Sequence, residues 1–334
     1  KPSKDGVQWR TLVHHGVLFP PPYAPHGVRL LYDGRPVDLT PAQEEIATFY
    51  AQYIDSQHVQ KEMFRKNFFA EFSKVLGGTA AGRTIKSLER CNFRPIKDHL
   101  DAERERKKGR SKEEKDAEKA AKAAVDEKYG WAVVDGHRQK VANFRVEPPG
   151  LFLGRGAHPK TGQLKARLRP SDVTINIGAG AKVPECPVRG ESWGEVRHDN
   201  TVSWLAMWRE NINGAHKYVF LSAQSAVKGR KDVRKFDVAR ELKSHIARIR
   251  KAYEKDMKSK DEFEKQRGTA LWVIDKLALR VGNEKGEEEA DTVGCCSLRV
   301  EHIKLLGDLQ LEFDFLGKDS MRYHNVVAVP DTVH

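Results

Sequence analysis

At 334 residues the chain is long enough to bury a core of its own and to divide into two or three subdomains. Lys and Arg number 59 against 47 Asp and Glu, a formal net charge of +12, which favours a polyanionic partner: nucleic acid first, acidic membrane second. No run of 18 apolar residues reads as a membrane span and the N-terminus lacks a signal-peptide pattern, so a soluble intracellular protein with no membrane partner is expected.

Residues 1–26 read as loop, with Trp9 and Leu12 as possible anchors and Pro20-Pro21-Pro22 excluding helix. Residues 28–39 hold two short strands around Asp33-Gly34, a hairpin signal. A helix begins at Pro41, with Thr40 at its cap and Gln43 closing a capping box; Ile46, Phe49, Tyr50, Tyr53 and Ile54 supply its inner side. A second helix spans about residues 61–76 and stops at Gly77-Gly78. Residues 101–128 carry ten basic and nine acidic side chains and little apolar content beyond alanine, which predicts long solvated helix interrupted near Gly109-Arg110-Ser111.

Residues 131–226 read as mixed strands and loops, with buried strands at 173–177 and 219–221. The alternation through Leu164-Lys165-Ala166-Arg167-Leu168-Arg169 predicts a strand with Lys165, Arg167 and Arg169 on one face, able to follow a phosphate backbone or simply to meet solvent. Arg155, His158 and Lys160 lie just upstream and favour the phosphate reading. The stretch from Gly154 to Thr161 imitates a Walker A loop, but Pro159 stands where a backbone N–H would be needed, so no nucleotide site is expected. The four cysteines, Cys91, Cys186, Cys295 and Cys296, and the pair His14-His15 lack metal-ligand spacing; reduced core thiols, and histidines serving structure or simply solvated, are expected, with no metal.

Residues 235–260 form a basic amphipathic helix, with Val238, Leu242, Ile246, Ile249 and Tyr253 on its apolar side. It leads into a second helix over 266–281, where Leu271, Ile274, Leu277, Ala278 and Val281 make the buried face and Arg280 sits in the last turn before Gly282-Asn283. A guanidinium on so apolar a helix requires an anion. Three strands follow, at 297–303, 309–316 and 321–329, the last two joined by a turn at Gly317-Lys318-Asp319-Ser320 that raises Lys318 to a hairpin tip. An arginine and a lysine so placed suit a site that holds and cleaves a phosphodiester.

The wording of this region carries a resemblance. The runs Leu277-Ala278-Leu279-Arg280-Val281-Gly282-Asn283-Glu284-Lys285, Ala290-Asp291-Thr292-Val293-Gly294-Cys295-Cys296-Ser297-Leu298-Arg299 and Phe313-Asp314-Phe315-Leu316-Gly317-Lys318-Asp319-Ser320 closely resemble eukaryotic DNA topoisomerase I, the type IB family. Upstream, Glu147-Pro148-Pro149-Gly150-Leu151-Phe152, Gly154-Arg155-Gly156 and Arg197-His198-Asp199-Asn200 continue it over almost the whole chain.

The resemblance implies an α+β DNA clamp: core subdomain I at 1–26 plus 111–226, core subdomain II at 27–110, and the start of a mainly helical catalytic subdomain III, with its three-stranded sheet, at 227–334. It implies nicking and resealing of one strand of duplex DNA through a 3′-phosphotyrosine in the nucleus, without metal, ATP or other cofactor. Arg280 is then the transition-state cation and Lys318 the general acid. Arg155, Lys160, Lys165, Arg167, Arg169, Lys217, Asn283, Lys285 and Asp319 are DNA-binding, and camptothecin-class inhibitors stack near Arg155, Asn283 and Asp319. The family's second arginine, its histidine and its nucleophilic tyrosine have no counterpart here. A C-terminal catalytic segment or a separate small subunit is therefore expected to supply the tyrosine, and the chain alone is expected to be inactive. A tyrosine recombinase-like strand transferase and a non-catalytic DNA-binding clamp are the alternatives.

Overall fold

A computed structural model describes residues 6–334; residues 1–5 of the N-terminal loop segment, and the side chains of Arg230 and Lys231, lie outside the described residues. The architecture is α+β and separates into two packed units, one formed by residues up to 153 with 162–233, the other by 154–161 with 234–334.

The first unit holds two apolar clusters. In one, α1 (Pro41–Ala51) packs on α2 (Glu62–Leu76). The Thr40 hydroxyl accepts from the Gln43 N–H at 3.4 Å and the Gln43 side-chain oxygen accepts from the Thr40 N–H at 3.0 Å, the capping box read from the sequence. The same Gln43 amide donates to the carbonyls of Val75 and Leu76, so one buried side chain satisfies the start of α1 and the end of α2. Phe64, Phe68, Phe72 and Leu76, four residues apart, form one fully buried stripe; each contributes on the order of 2–3 kcal/mol of burial. Tyr50 stacks on Phe68 with centroids 4.1 Å apart. Strands Leu30–Tyr32 and Arg35–Val37 turn at Asp33-Gly34, both at positive φ, as a two-residue hairpin requires. After the short α3 (Ala80–Thr84), α4 (Arg94–Lys108) and α5 (Lys112–Tyr129) are the charged helices; they break at Gly109, and Ser111 caps α5 with Glu114.

The other cluster lies between a three-stranded antiparallel sheet (Leu12–His14, Trp131–Val134, His137–Lys140) and a four-stranded sheet ordered Glu195–Arg197, Val173–Asn176, Trp204–Arg209, His216–Phe220. His14 is fully buried between them: its Nδ1 accepts from the Gly16 N–H at 3.0 Å and its Nε2 meets the Asn176 carbonyl at 2.9 Å. Burial pushes its pKa down to about 4, so it is a neutral structural residue.

The strand expected over 164–169 stops at Lys165. The Ala166 N–H is taken by the Asn211 side chain, whose amide donates back to the Leu164 carbonyl, and Pro170 opens a turn. There is no single strand face carrying Lys165, Arg167 and Arg169. Phe220, in a strand expected to be buried, is 44% exposed.

Helix α6 (Ala226–Asp256) falls in the second unit from residue 234 onward, and there it is tied to α7 (Glu262–Leu277) by the Arg250 guanidinium, which grips the Asp275 carboxylate at 2.9 and 3.1 Å, and by the Tyr253 hydroxyl on the same carboxylate. A Cβ at Gly268 would lie 2.7 Å from the Met257 nitrogen, so glycine sets the close approach of the two helices. Of the apolar stripe expected on α6, Tyr253 is buried and Ile246 and Ile249 are half-buried, whereas Val238 and Leu242, expected inside, are exposed.

Helix α7 ends four residues earlier than the sequence suggests, with Ala278 in the left-handed conformation at φ 54°. Its buried positions are Gly268, Trp272 and Val273, while Leu271, Ala278 and Val281 are exposed. The sheet beyond it pairs Ile303–Leu306, Gln310–Leu316 and Arg322–Ala328 antiparallel. Its first strand lies later than the expected 297–303, most of which is two 3₁₀ turns. Leu311, Phe313 and Phe315 face the core shared with Tyr253, Trp272 and Val273.

Candidate active site

Arg280 does not sit on a helix. It lies in irregular chain three residues past Leu277, exposed, and its guanidinium has no ion-pair partner among the described residues. The anion demanded of a buried arginine is not needed by an exposed one. What fixes Arg280 is its backbone: its carbonyl accepts from the Cys295 N–H at 2.8 Å, and the Val281 carbonyl from the Cys296 N–H at 2.7 Å.

The strap that supplies those donors, residues 291–297, also reaches the lysine hairpin. The Val293 N–H donates to the Leu316 carbonyl at 2.8 Å, two residues before Lys318. One end of the strap is anchored by Asp291, which takes both nitrogens of the Arg299 fork at 2.9 and 2.8 Å. That guanidinium holds the Asp291 carboxyl below the usual carboxylate range. The pairing of Asp291 with Arg299 carried no sequence signal beyond the two residue types.

Lys318 opens the turn between the second and third strands, exposed and without an ion-pair partner among the described residues. Asp319 follows at φ 67°, a conformation asparagine and aspartate tolerate better than most residues. Its carboxylate pairs with the Arg155 guanidinium, and a Cβ on Gly156 would meet the Ser320 hydroxyl at 2.6 Å, so the 154–161 loop lies against the hairpin turn. Further along that loop the Lys160 ammonium meets Glu288 at 2.7 Å, and Lys285 meets Glu289 at 3.6 Å. Burial, then the Lys160 charge, lowers the pKa of His158. Arg155, Lys160, Asn283, Lys285, Arg280, Lys318 and Asp319 therefore belong to one packed unit.

The remaining candidates lie in the other unit. The Lys165 ammonium is 3.5 Å from Glu147; Arg167 donates to Glu45 at 2.6 Å and to the Pro21 carbonyl at 2.9 Å; Arg169 is exposed with no ion pair among the described residues. Lys217 is half-buried on the strand His216–Phe220, opposite Trp208. Its neighbours His216, Tyr218 and Phe220 form an exposed aromatic row, which the alternation of that strand could have disclosed. Of the cysteines, all free, Cys296 is exposed rather than a core residue, and burial pushes the Cys295 thiol up to about 11. Among the described residues no helix is long and apolar enough to cross a membrane.

One hydrogen-bonded strap thus joins the backbone beside an exposed arginine to the hairpin of an exposed lysine, in a basic α+β chain. The chain matches the family described as eukaryotic DNA topoisomerase I, DNA binding fragment, over residues 7–221, and its catalytic core over residues 224–334. It belongs to the eukaryotic DNA topoisomerase I family. Similar relatives include DNA topoisomerase 1 beta of Arabidopsis thaliana, 52% identical over 100% of this chain and 36% of the relative. DNA topoisomerase 1 of Schizosaccharomyces pombe is 53% identical over 98% and 40%, and that of Homo sapiens 48% over 98% and 44%. The chain thus spans well under half the length of the relatives it matches.

Proposed function

We propose that these residues are the DNA-gripping core and part of the active site of a nuclear type IB topoisomerase. It relaxes supercoils by nicking one strand through a 3′-phosphotyrosine and resealing it. Arg280 offers two parallel donors to the non-bridging oxygens, where charge builds as the phosphoryl group becomes five-coordinate. Lys318 protonates the departing 5′-oxygen. Neither step needs metal or nucleotide. Lys160, Lys165, Arg167, Arg169, Lys217, Asn283 and Lys285 contact the duplex, with Arg155 and Asp319 beside the nick, where camptothecin-class inhibitors would stack.

The subdomains are 1–26 with 111–226, 27–110, and 227–334. The tyrosine, the second arginine and the histidine come from polypeptide outside these residues, as a further segment or a small subunit; the greater length of the relatives supports this. The family's eukaryotic DNA enzymes support the nuclear assignment.

The observation that carries the reading is that Arg280 and Lys318 are both exposed, and neither is neutralised by a side chain among the described residues. The full-length protein should relax positive and negative supercoils in chelator without ATP, whereas residues 1–334 alone should bind duplex DNA and leave the plasmid supercoiled. A requirement for magnesium or ATP, or relaxation by the 334 residues alone, would contradict it.

A further inference from the structure

Gly294 has an extended backbone, φ −130° and ψ −173°, which any residue adopts, so conformation does not explain a glycine there. Space does. A Cβ at position 294 would lie 2.5 Å from the Gly282 Cα, 2.6 Å from its nitrogen and 2.7 Å from the Arg280 carbonyl oxygen. All three are backbone atoms, which cannot swing aside as a side-chain tip can. The contact is reciprocal: a Cβ on Gly282 would lie 2.6 Å from the Gly294 Cα, and Gly282 also stands at φ 82°. The Ser297 hydroxyl completes the crossing, accepting from the Gly294 N–H at 3.0 Å.

The two flanking strap donors then serve different ends: Cys295 N–H holds the Arg280 carbonyl and Val293 N–H holds the Leu316 carbonyl of the hairpin. The three atoms nearest to a Cβ at 294 all belong to the first arm. We infer that Gly294 is a positioning residue for the arginine arm of the active site: its missing side chain lets residues 280–282 lie against the strap, which sets where the Arg280 guanidinium points. This rests on the reading of Arg280 as the transition-state cation. A displacement of about 1 Å at a reacting centre costs on the order of 100-fold in rate.

The test is Gly294→Ala in the full-length enzyme, alone and combined with Arg280→Ala, on ordinary DNA and on DNA with sulfur at the 5′-bridging position. The expected result is cleavage slowed on the order of 10- to 100-fold on both substrates, DNA affinity within about twofold of the parent, and no added loss when Arg280 is already alanine. Should Gly294→Ala not fold, Ser297→Ala removes the hydroxyl at the crossing without adding an atom, and should show a smaller loss of the same pattern. Losses that multiply in the double variant, rescue of Gly294→Ala by sulfur, or unchanged cleavage would overturn the inference. Normal cleavage by Arg280→Ala itself would instead remove the reading on which it stands.

Discussion

Asp319 pairs its carboxylate with the Arg155 guanidinium, so the residue after the hairpin lysine neutralises the arginine of the neighbouring loop. Both side chains are about half exposed or more, and such a pair contributes little to stability. Its consequence is electrostatic: next to Lys318, one positive charge is balanced by the protein itself.

Replacing that carboxylate by an amide therefore has a signed outcome. Asp319→Asn keeps a residue tolerant of positive φ and frees the charge of Arg155. Duplex binding should tighten at low salt, and the slope of log K against log salt should steepen by up to about one. A titration at several salt concentrations reads this directly; an unchanged slope would place Arg155 away from the phosphates.

The basic residues after Lys165 should divide rather than act together. The Arg167 guanidinium is already held by Glu45 and the Pro21 carbonyl, whereas Arg169 is exposed. Arg169→Ala should weaken binding to all sequences alike and flatten the salt slope by about one, with Arg167→Ala doing so by less. Equal slopes for the two variants would mean that Arg167 leaves Glu45 when DNA binds.

Stability should fall in mild acid through His14. Its folded pKa, about 4, lies below the unfolded value near 6.5, so the unfolded chain binds the proton first. The contribution is fully present above pH 6.5 and is lost as pH falls toward 4, to the extent of about 3 kcal/mol. Urea unfolding of the parent and of His14→Gln across this range should show a shallower pH dependence in the variant. Parallel curves would assign the acid sensitivity to other histidines.

Where one short segment decides, the sequence was readable. Thr40, Pro41 and Gln43 cap α1 because all three lie within one turn, and Asp33-Gly34 and Gly317–Ser320 turn where their residue types permit positive φ or tight reversal. It misled where a distant group intervenes. The periodicity of α7 runs past Ala278, yet the helix stops at Leu277 and the Arg280 and Val281 carbonyls accept instead from the N–H groups of a strap that follows later in the chain. The alternation after Leu164 is real, but a side chain 47 residues away supplies the partner a neighbouring strand would have given. Val238 and Leu242 continue the stripe of α6 into a stretch where the apolar cluster of that unit does not reach them. The candidate site residues come from family wording rather than physics, since an exposed arginine and an exposed turn lysine are ordinary by themselves.

In the proposed reaction Arg280 and Lys318 do different work on one phosphodiester. A 5′-alkoxide is a poor leaving group and needs a proton, whereas a thiolate, from an acid of pKa about 8.5, departs without one. Cleavage rates of full-length Lys318→Ala and Arg280→Ala on DNA with oxygen or sulfur at the 5′-bridging position separate the roles. Lys318→Ala should be slow on oxygen and nearly normal on sulfur. Arg280→Ala should be slow on both, on the order of 100- to 1,000-fold, and Arg280→Lys should not recover because the fork is lost. Equal rescue of both alanine variants by sulfur, or rescue of neither, would contradict it.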